Sequence, residues 1–243
     1  MWEVPRDRSY HVTTNHMTHS KRYTELKSLI DGSKAYSPEE ALELAKKTAT
    51  TKFDSSIEVH VRLGIDPKKS DQQVRGTVSL PHGTGKTKKV CAIVGNAEAE
   101  KDAKDAGADI VGGQEVIDEI AKTGKYDAEV FVTTPDMMPK MAKIAKILGP
   151  KGLMPSPKNE TVTTNLTKTI GELRKGKVAF KADDTANLHQ VIGRSSFSKE
   201  QLTENYAALM EAVRKAKPSS SKGVFLVSVT LTSTMGPAIR VAA

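Results

Sequence analysis

Three stretches of this 243-residue chain carry residue types and spacings that could do chemistry. The first is Leu80-Pro81-His82-Gly83-Thr84-Gly85-Lys86-Thr87, whose last three residues match the end of a phosphate-binding loop, where backbone amides and a lysine cradle a nucleotide. The match fails at both ends. Leu80 stands where the first glycine is required, and the residues after Thr87 read as a strand, whereas a nucleotide site needs a helix N-terminus aimed at the phosphate. The segment reads instead as a flexible crossing, and no nucleotide cofactor is expected. The second stretch, Leu148 to Lys158, packs two glycines, three prolines and two lysines. Gly149 followed by Pro150 stops a helix, and the prolines stiffen the loop so that Lys151 and Lys158 face solvent, suited to contacting phosphate.

The third is a set of alternating polar residues: Ser56, Glu58, His60, Arg62, Thr77, Lys177, Lys181, Ser228, Thr230 and Thr232. A solvated sheet face explains such alternation by itself. Its richness in Ser, Thr, Arg and Lys favours phosphates, 2′-hydroxyls and base edges as partners, and its lack of an aromatic platform favours a structured RNA over a loose single strand. Other chemistry finds no support. The six histidines show no metal-ligand spacing, so no metal is expected, and no Ser, His and Asp arrangement suggests catalysis. The single cysteine, Cys91, lies between Val90 and Ala92 and reads as a core residue.

These residues need strands to hold them. In Ser56 to Leu63 every second residue is apolar, the period of a strand with one buried and one wet face. The same alternation returns at Val74 to Leu80, at Lys177 to Lys181, and at Phe225, Val227, Val229 and Leu231, which predicts an antiparallel sheet covered on one side. Two helices would cover it. One starts at Ser37, with Pro38 and Glu40 completing a capping box, and buries Ala41, Leu42, Leu44 and Ala45; the other starts at Ser198, closed by Gln201 and stapled from Phe197 to Leu202, with a stripe of Leu202, Tyr206, Leu209 and Val213.

The middle of the chain has another rhythm. Short β-type runs at Lys89 to Val94, Asp109 to Val111 and Ala128 to Val132 alternate with helical stretches at Ala97 to Ala106 and Glu115 to Lys122, and a third helix follows at Thr134 and Pro135. That pattern predicts a parallel sheet with helices on both faces, a small Rossmann-like domain. The fold class is therefore α/β in two domains: a discontinuous α+β domain over 17–83 and 176–243, and an inserted three-layer domain over 84–175. Gly83, Gly85 and Gly176 mark the two crossings and make a hinge. Residues 1–16 have no periodic apolar face and are expected to be disordered, with Met17 a second candidate start.

Charge agrees with this division. Lys and Arg exceed Asp and Glu by 37 to 29, a net charge of +8 that favours a polyanionic partner. Six of the eight surplus charges lie outside 84–175. No apolar run approaches the roughly 18 residues that span a bilayer, and one cysteine suits a reducing, cytoplasmic setting, so no membrane is expected among the partners.

Four segments carry a resemblance: Lys52-Phe53-Asp54, Arg75 to Gly83, Leu148 to Lys158, and Thr232-Ser233-Thr234-Met235-Gly236-Pro237. In order, and over about residues 17 to 240, they resemble the family of the bacterial-type large-subunit ribosomal protein L-one. The resemblance implies rRNA contacts at Lys52, Phe53, Ser56, Glu58, Thr232, Thr234, Met235 and Gly236. His60, Arg62 and Lys181 from the polar face join them, with Asp183 in the turn that follows. Glu58 would accept hydrogen bonds from base amino or 2′-hydroxyl groups. Thr234 is expected to offer its hydroxyl to RNA without supporting the fold, while Phe53 and Met235, taken by residue type alone, could equally be core. The sequence departs from the family at Asp184 and Ala186, where lysine and glycine are usual. The resemblance further implies a large-subunit protein that forms a mobile stalk, helps deacylated tRNA leave the exit site, represses its own mRNA and needs no cofactor.

Overall fold

The computed structural model describes residues 19–242, so the expectations for residues 1–16 and Met17 lie outside the described residues. In chain order the elements begin with α1 (Lys21–Ser28), α2 (Pro38–Thr48), β1 (Ser56–Leu63) and β2 (Arg75–Ser79). The middle holds β3 (Val90–Ile93), α3 (Ala97–Asp105), β4 (Ile110–Gly112), α4 (Gln114–Thr123), β5 (Val130–Thr133), α5 (Met138–Met141), α6 (Ala145–Leu148) and α7 (Leu166–Arg174). The chain ends with β6 (Lys177–Lys181), β7 (Asn187–Arg194), α8 (Lys199–Lys215), β8 (Leu226–Ser233) and β9 (Ile239–Val241). None of the described helices is long and apolar enough to cross a membrane.

A four-stranded antiparallel sheet in the order β7-β1-β8-β9 buries one face under α2 and α8. Val59, Val61, Leu188, Val229 and Leu231 point inward against Leu42, Leu202 and Leu209, all fully buried and each contributing about 1.5–3 kcal/mol relative to exposure. Both covering helices begin with the expected capping boxes, Ser37 with Glu40 and Ser198 with Gln201, which satisfy amide donors that a helix start leaves free.

The remaining two alternating runs are not in this sheet. β2 and β6 form their own two-stranded antiparallel ladder, Arg75 opposite Lys181 through Ser79 opposite Lys177. The separation arises at the turn after β6, where the Asp183 carboxylate accepts from the Thr185 and Asn187 amides and Ala186 adopts φ 63°, sending the chain out of one ladder and into the other. The unanticipated strand β7 fills the vacant edge of the main sheet. A bulge between Ile57 and Glu58 of β1 sets Gly193 and Val191 of β7 in register and leaves Ile192 as the extra residue, which breaks the period-two signal. At the far end of β8 a second shift, between Arg62 and Leu63, leaves Val227 exposed rather than buried as its alternation suggested.

The middle strands form a parallel sheet in the order β4-β3-β5. Alternate residues of β3 enter different cores: Cys91 and Ile93 pack with Ile117, Phe131 and Met141, whereas Val90, Ala92 and Val94 pack with Ala103, Leu166 and Ile170. The helix expected at Thr134 and Pro135 is broken into a 3₁₀ turn at Pro135–Met137, α5, another 3₁₀ turn at Ala142–Ile144, and α6. The short helix α1, with Leu26 its one buried residue, and α7, with Gly171 in its interior, give only weak sequence signals.

The chain passes between these two groups of cores twice, and the passages touch. Gly176, at φ 107°, lies so close to Gly83 that a Cβ on it would sit 2.4 Å from the Gly83 Cα. Asn205 of α8, fully buried, donates to the carbonyls of Gly83 (2.9 Å) and Ile192 (2.7 Å) and accepts from the His82 amide (3.1 Å). Gly83 is thereby pinned to the sheet and helix beneath it.

Candidate nucleic-acid interface

The outward face of the main sheet is built by register. Glu58, His60 and Arg62 of β1 face Val191, His189 and Asn187 of β7 on one side and Thr232, Thr230 and Ser228 of β8 on the other. At its centre the two Nδ1 atoms of His60 and His189 lie 2.7 Å apart, so one ring donates and the other accepts, while His60 Nε2 lies 2.9 Å from the Thr232 hydroxyl. Burial, reinforced by His189, pushes the His60 pKa below the usual histidine value against the opposing pull of Glu58, 3.9 Å away. His189 in turn lies 3.7 Å from Asp183. Arg62 and Lys181 are exposed.

Where β1 begins and β8 ends, the sheet closes into a rigid corner. The Thr234 hydroxyl accepts from the Ser56 amide (3.0 Å) and donates to the Ser56 carbonyl (3.2 Å), which also accepts from the Thr234 amide. The expectation that Thr234 is idle in the fold is therefore wrong: its hydroxyl occupies both backbone groups of Ser56. The turn that follows is closed by the Gly236 amide donating to the Ser233 carbonyl (2.8 Å), with Met235 at φ 62°. A Cβ at Gly236 would fall 2.2 Å from Ser233 Oγ, which is itself tied to the buried Thr48 hydroxyl at 3.2 Å.

Two large apolar side chains stand out of this corner. Phe53 is 56% exposed and Met235 is 69% exposed, which removes the core reading for both. Lys52 is exposed beside Phe53. The next residue, Asp54, accepts from the hydroxyls of Ser195 (2.7 Å) and Ser196 (2.9 Å), and these bonds, led by Ser195, hold its carboxyl below the usual range and fix the loop. Sequence reasoning missed Arg22. Its guanidinium donates to the Met235 carbonyl (2.9 Å) and the Thr50 hydroxyl (3.2 Å), so α1 clamps the turn from 213 residues away. No local motif could have announced a contact so distant in sequence.

Other expected members lie elsewhere. Lys177 is buried rather than on the wet face, paired with Glu160 and with Glu172 at 2.7 Å. Burial opposes its charge, but the hydrogen bonds its ammonium donates to the two carboxylates, together with their charges, outweigh that and raise its pKa. Thr77 and Lys177 both line a cleft between β2 and the middle of the chain. Lys151 and Lys158 are exposed, with the Lys151 ammonium 4.7 Å above the Tyr126 ring. Cys91 is buried, its thiol pushed by desolvation up to about 12, which makes it inert.

A model of the ribosomal protein L1p/L10e family matches residues 45–237. The chain is 51% identical over 225 residues to the large ribosomal subunit protein uL1 of Salinispora tropica, covering 93% of this chain and 94% of that protein. Its likeness to the proteins of the same name from Saccharopolyspora erythraea (52% over 223 residues, 91% of this chain and 92% of the relative) and Mesoplasma florum (49% over 222 residues, 91% and 97%) is equally extensive.

Proposed function

From the premise that this chain belongs to the ribosomal protein L1p/L10e family, whose members are structural and not enzymes, we propose that it binds a structured stem of large-subunit rRNA. Its place is in the large ribosomal subunit. The binding surface is the corner formed by Lys52, Phe53, Ser56, Thr234, Met235 and Gly236, continued along the outward face by Glu58, His60, Arg62 and Thr232, with Lys181 and Asp183 at its margin. One observation carries this reading: two large apolar side chains stay exposed on a corner that hydrogen bonds hold rigid. Exposure of Phe53 and Met235 gains the fold nothing, whereas a ribose or base face packed on them gains dispersion and loses water.

In this reading the chain has two domains. Residues 19–83 with 176–242 form the rRNA-binding α+β domain, and residues 84–175 form an inserted Rossmann-like domain hinged at Gly83, Gly85 and Gly176. Anchored by the first, the second serves as the head of a mobile stalk that helps deacylated tRNA leave the exit site, with Lys151 and Lys158 available to RNA. A messenger that folds like the rRNA stem would be bound by the same corner, which makes the protein a repressor of its own mRNA. No cofactor enters this function.

Binding measured with an rRNA stalk fragment, an unrelated stem of equal length, ATP and GTP tests the proposal. The stalk fragment should bind far more tightly than the unrelated stem, and neither nucleotide should be turned over. Equal affinity for the two stems, or turnover of a nucleotide, would refute it.

A further inference from the structure

A cleft of about 230 Å³ opens beside Ser56, where the end of β7 meets the chain crossing after Gly83, lined also by Thr84, Lys86, Lys88, Gln190 and Arg194. Its charge is lopsided. Three cations border it against one carboxylate, Glu129. Neighbouring lysines are neutralised within the fold, Lys89 by Asp127 at 2.5 Å and Lys177 by Glu172 at 2.7 Å, but Lys86, Lys88 and Arg194 have no ion pair among the described residues. Arg194 spends one donor on the Asp54 carbonyl (2.8 Å) and its charge also acts on the Asp54 carboxylate, but its other guanidinium N–H groups make no hydrogen bond among the described residues and can serve an anion. Lys88 is only partly exposed, and burial, opposed by Glu129, pushes its pKa below the usual lysine value. A half-buried ammonium whose nearest carboxylate, Glu129, makes no close ion pair with it is unfavourable in the free protein and is relieved by an incoming anion.

The cleft adjoins the candidate interface directly. Ser56 belongs to both, Ser56 pairs with Arg194 across β1 and β7, and Arg194 holds the backbone of Asp54 next to Phe53. We propose that this cleft seats one backbone phosphate of the bound RNA between Lys86, Lys88 and Arg194. The RNA footprint then extends from the sheet corner onto the crossing, so that part of the segment after Gly83 touches RNA. This rests on the RNA-binding reading given above and adds to it three cations that reading does not use.

The test is the salt dependence of binding by the full chain to the rRNA stalk fragment. Lys88→Met keeps the stem's bulk and removes the charge. It should weaken binding about tenfold at low salt and flatten the slope of log affinity against log salt by a measurable part of the roughly 0.7–0.9 that one phosphate contributes, without lowering the thermal midpoint. Lys86→Met, at an exposed position that the fold does not need, should flatten the slope likewise. The same change at Lys104, exposed on α3, should leave the slope alone. The Lys88 ammonium, followed by nitrogen NMR, should titrate at higher pH once the RNA fragment is added. Unchanged slopes for both cleft variants while the wild type binds the fragment would overturn the phosphate site and leave the corner standing. An equal change at Lys104, or a Lys88 titration that responds to inorganic phosphate but not to the RNA, would also overturn it. A wild-type chain that fails to bind the fragment at all would remove the RNA reading itself.

Discussion

Thr234 and Phe53 lie at one corner of the sheet, yet they answer to different demands. The Thr234 hydroxyl replaces solvent for both backbone groups of Ser56, so Thr234→Val should lower stability by about 1–3 kcal/mol in urea unfolding, whereas Thr234→Ser should retain most of it. Equal midpoints for the valine variant and the wild type would show that those bonds contribute nothing. Such double duty was invisible in the sequence, where a threonine in a family motif reads as a ligand contact. The centre of the outward face makes a pH prediction. Burial and His189 hold the His60 pKa below 6.5, so on acidification the unfolded chain takes up its proton first. The unfolded state then binds more protons, and stability falls as the pH drops below about 6.5, until folded His60 titrates as well. Urea midpoints taken from pH 7.5 down to about pH 5 should fall less steeply for His60→Gln than for the wild type; parallel curves would contradict the assignment.

At the scale of elements, the sequence was most readable where a local rule had a single physical meaning. Ser37 with Glu40 and Ser198 with Gln201 announced both covering helices because a capping box satisfies particular amides. Alternation in β1 likewise revealed which residues face out. It failed at β7, where the extra Ile192 shifts the phase, and at Val227, where the register slips, since a bulge is decided by the partner strand and not by the strand itself. Lys177 was misplaced for a related reason: alternation gives a side, but Glu160 and Glu172, which make burial tolerable, come from elements that the pattern could not position. The crossings give a paired prediction. Gly176→Ala puts a Cβ at φ 107° and against the Gly83 backbone, and should cost more than about 1 kcal/mol. Gly171→Ala, in the interior of α7 with nothing within 4 Å, should instead stabilise by about 0.5–1 kcal/mol in the same thermal or urea assay. The opposite ordering would mean that the close contact between the two passages does not matter to the fold.

Across the whole molecule, the buried side chains fall into three clusters that share no stretch of chain between the first and the other two. The largest cluster draws only on residues 36–80 and 178–241, and the other two only on residues 90–173. Removing residues 84–175 and joining Gly83 to Gly176 should therefore leave a cooperatively folding protein that still binds the stalk fragment in preference to an unrelated stem, weakened by the loss of Lys86 and Lys88, because the corner, the Asn205 anchor and six of the eight surplus charges remain. An isolated 84–175 segment that bound the stalk fragment as tightly as the full chain would reverse the assignment. The central claim, that the corner at Ser56 and Thr234 receives structured RNA, meets its most direct test in the rRNA affinity of a Phe53→Ala, Met235→Ala double variant. Both side chains are exposed, so its unfolding free energy should stay within about 0.5 kcal/mol of wild type. Its affinity for the stalk fragment should fall at least about tenfold, with its salt slope and its affinity for an unrelated stem unchanged, since neither side chain carries charge. Undiminished affinity for the stalk fragment in a folded double variant would contradict the account.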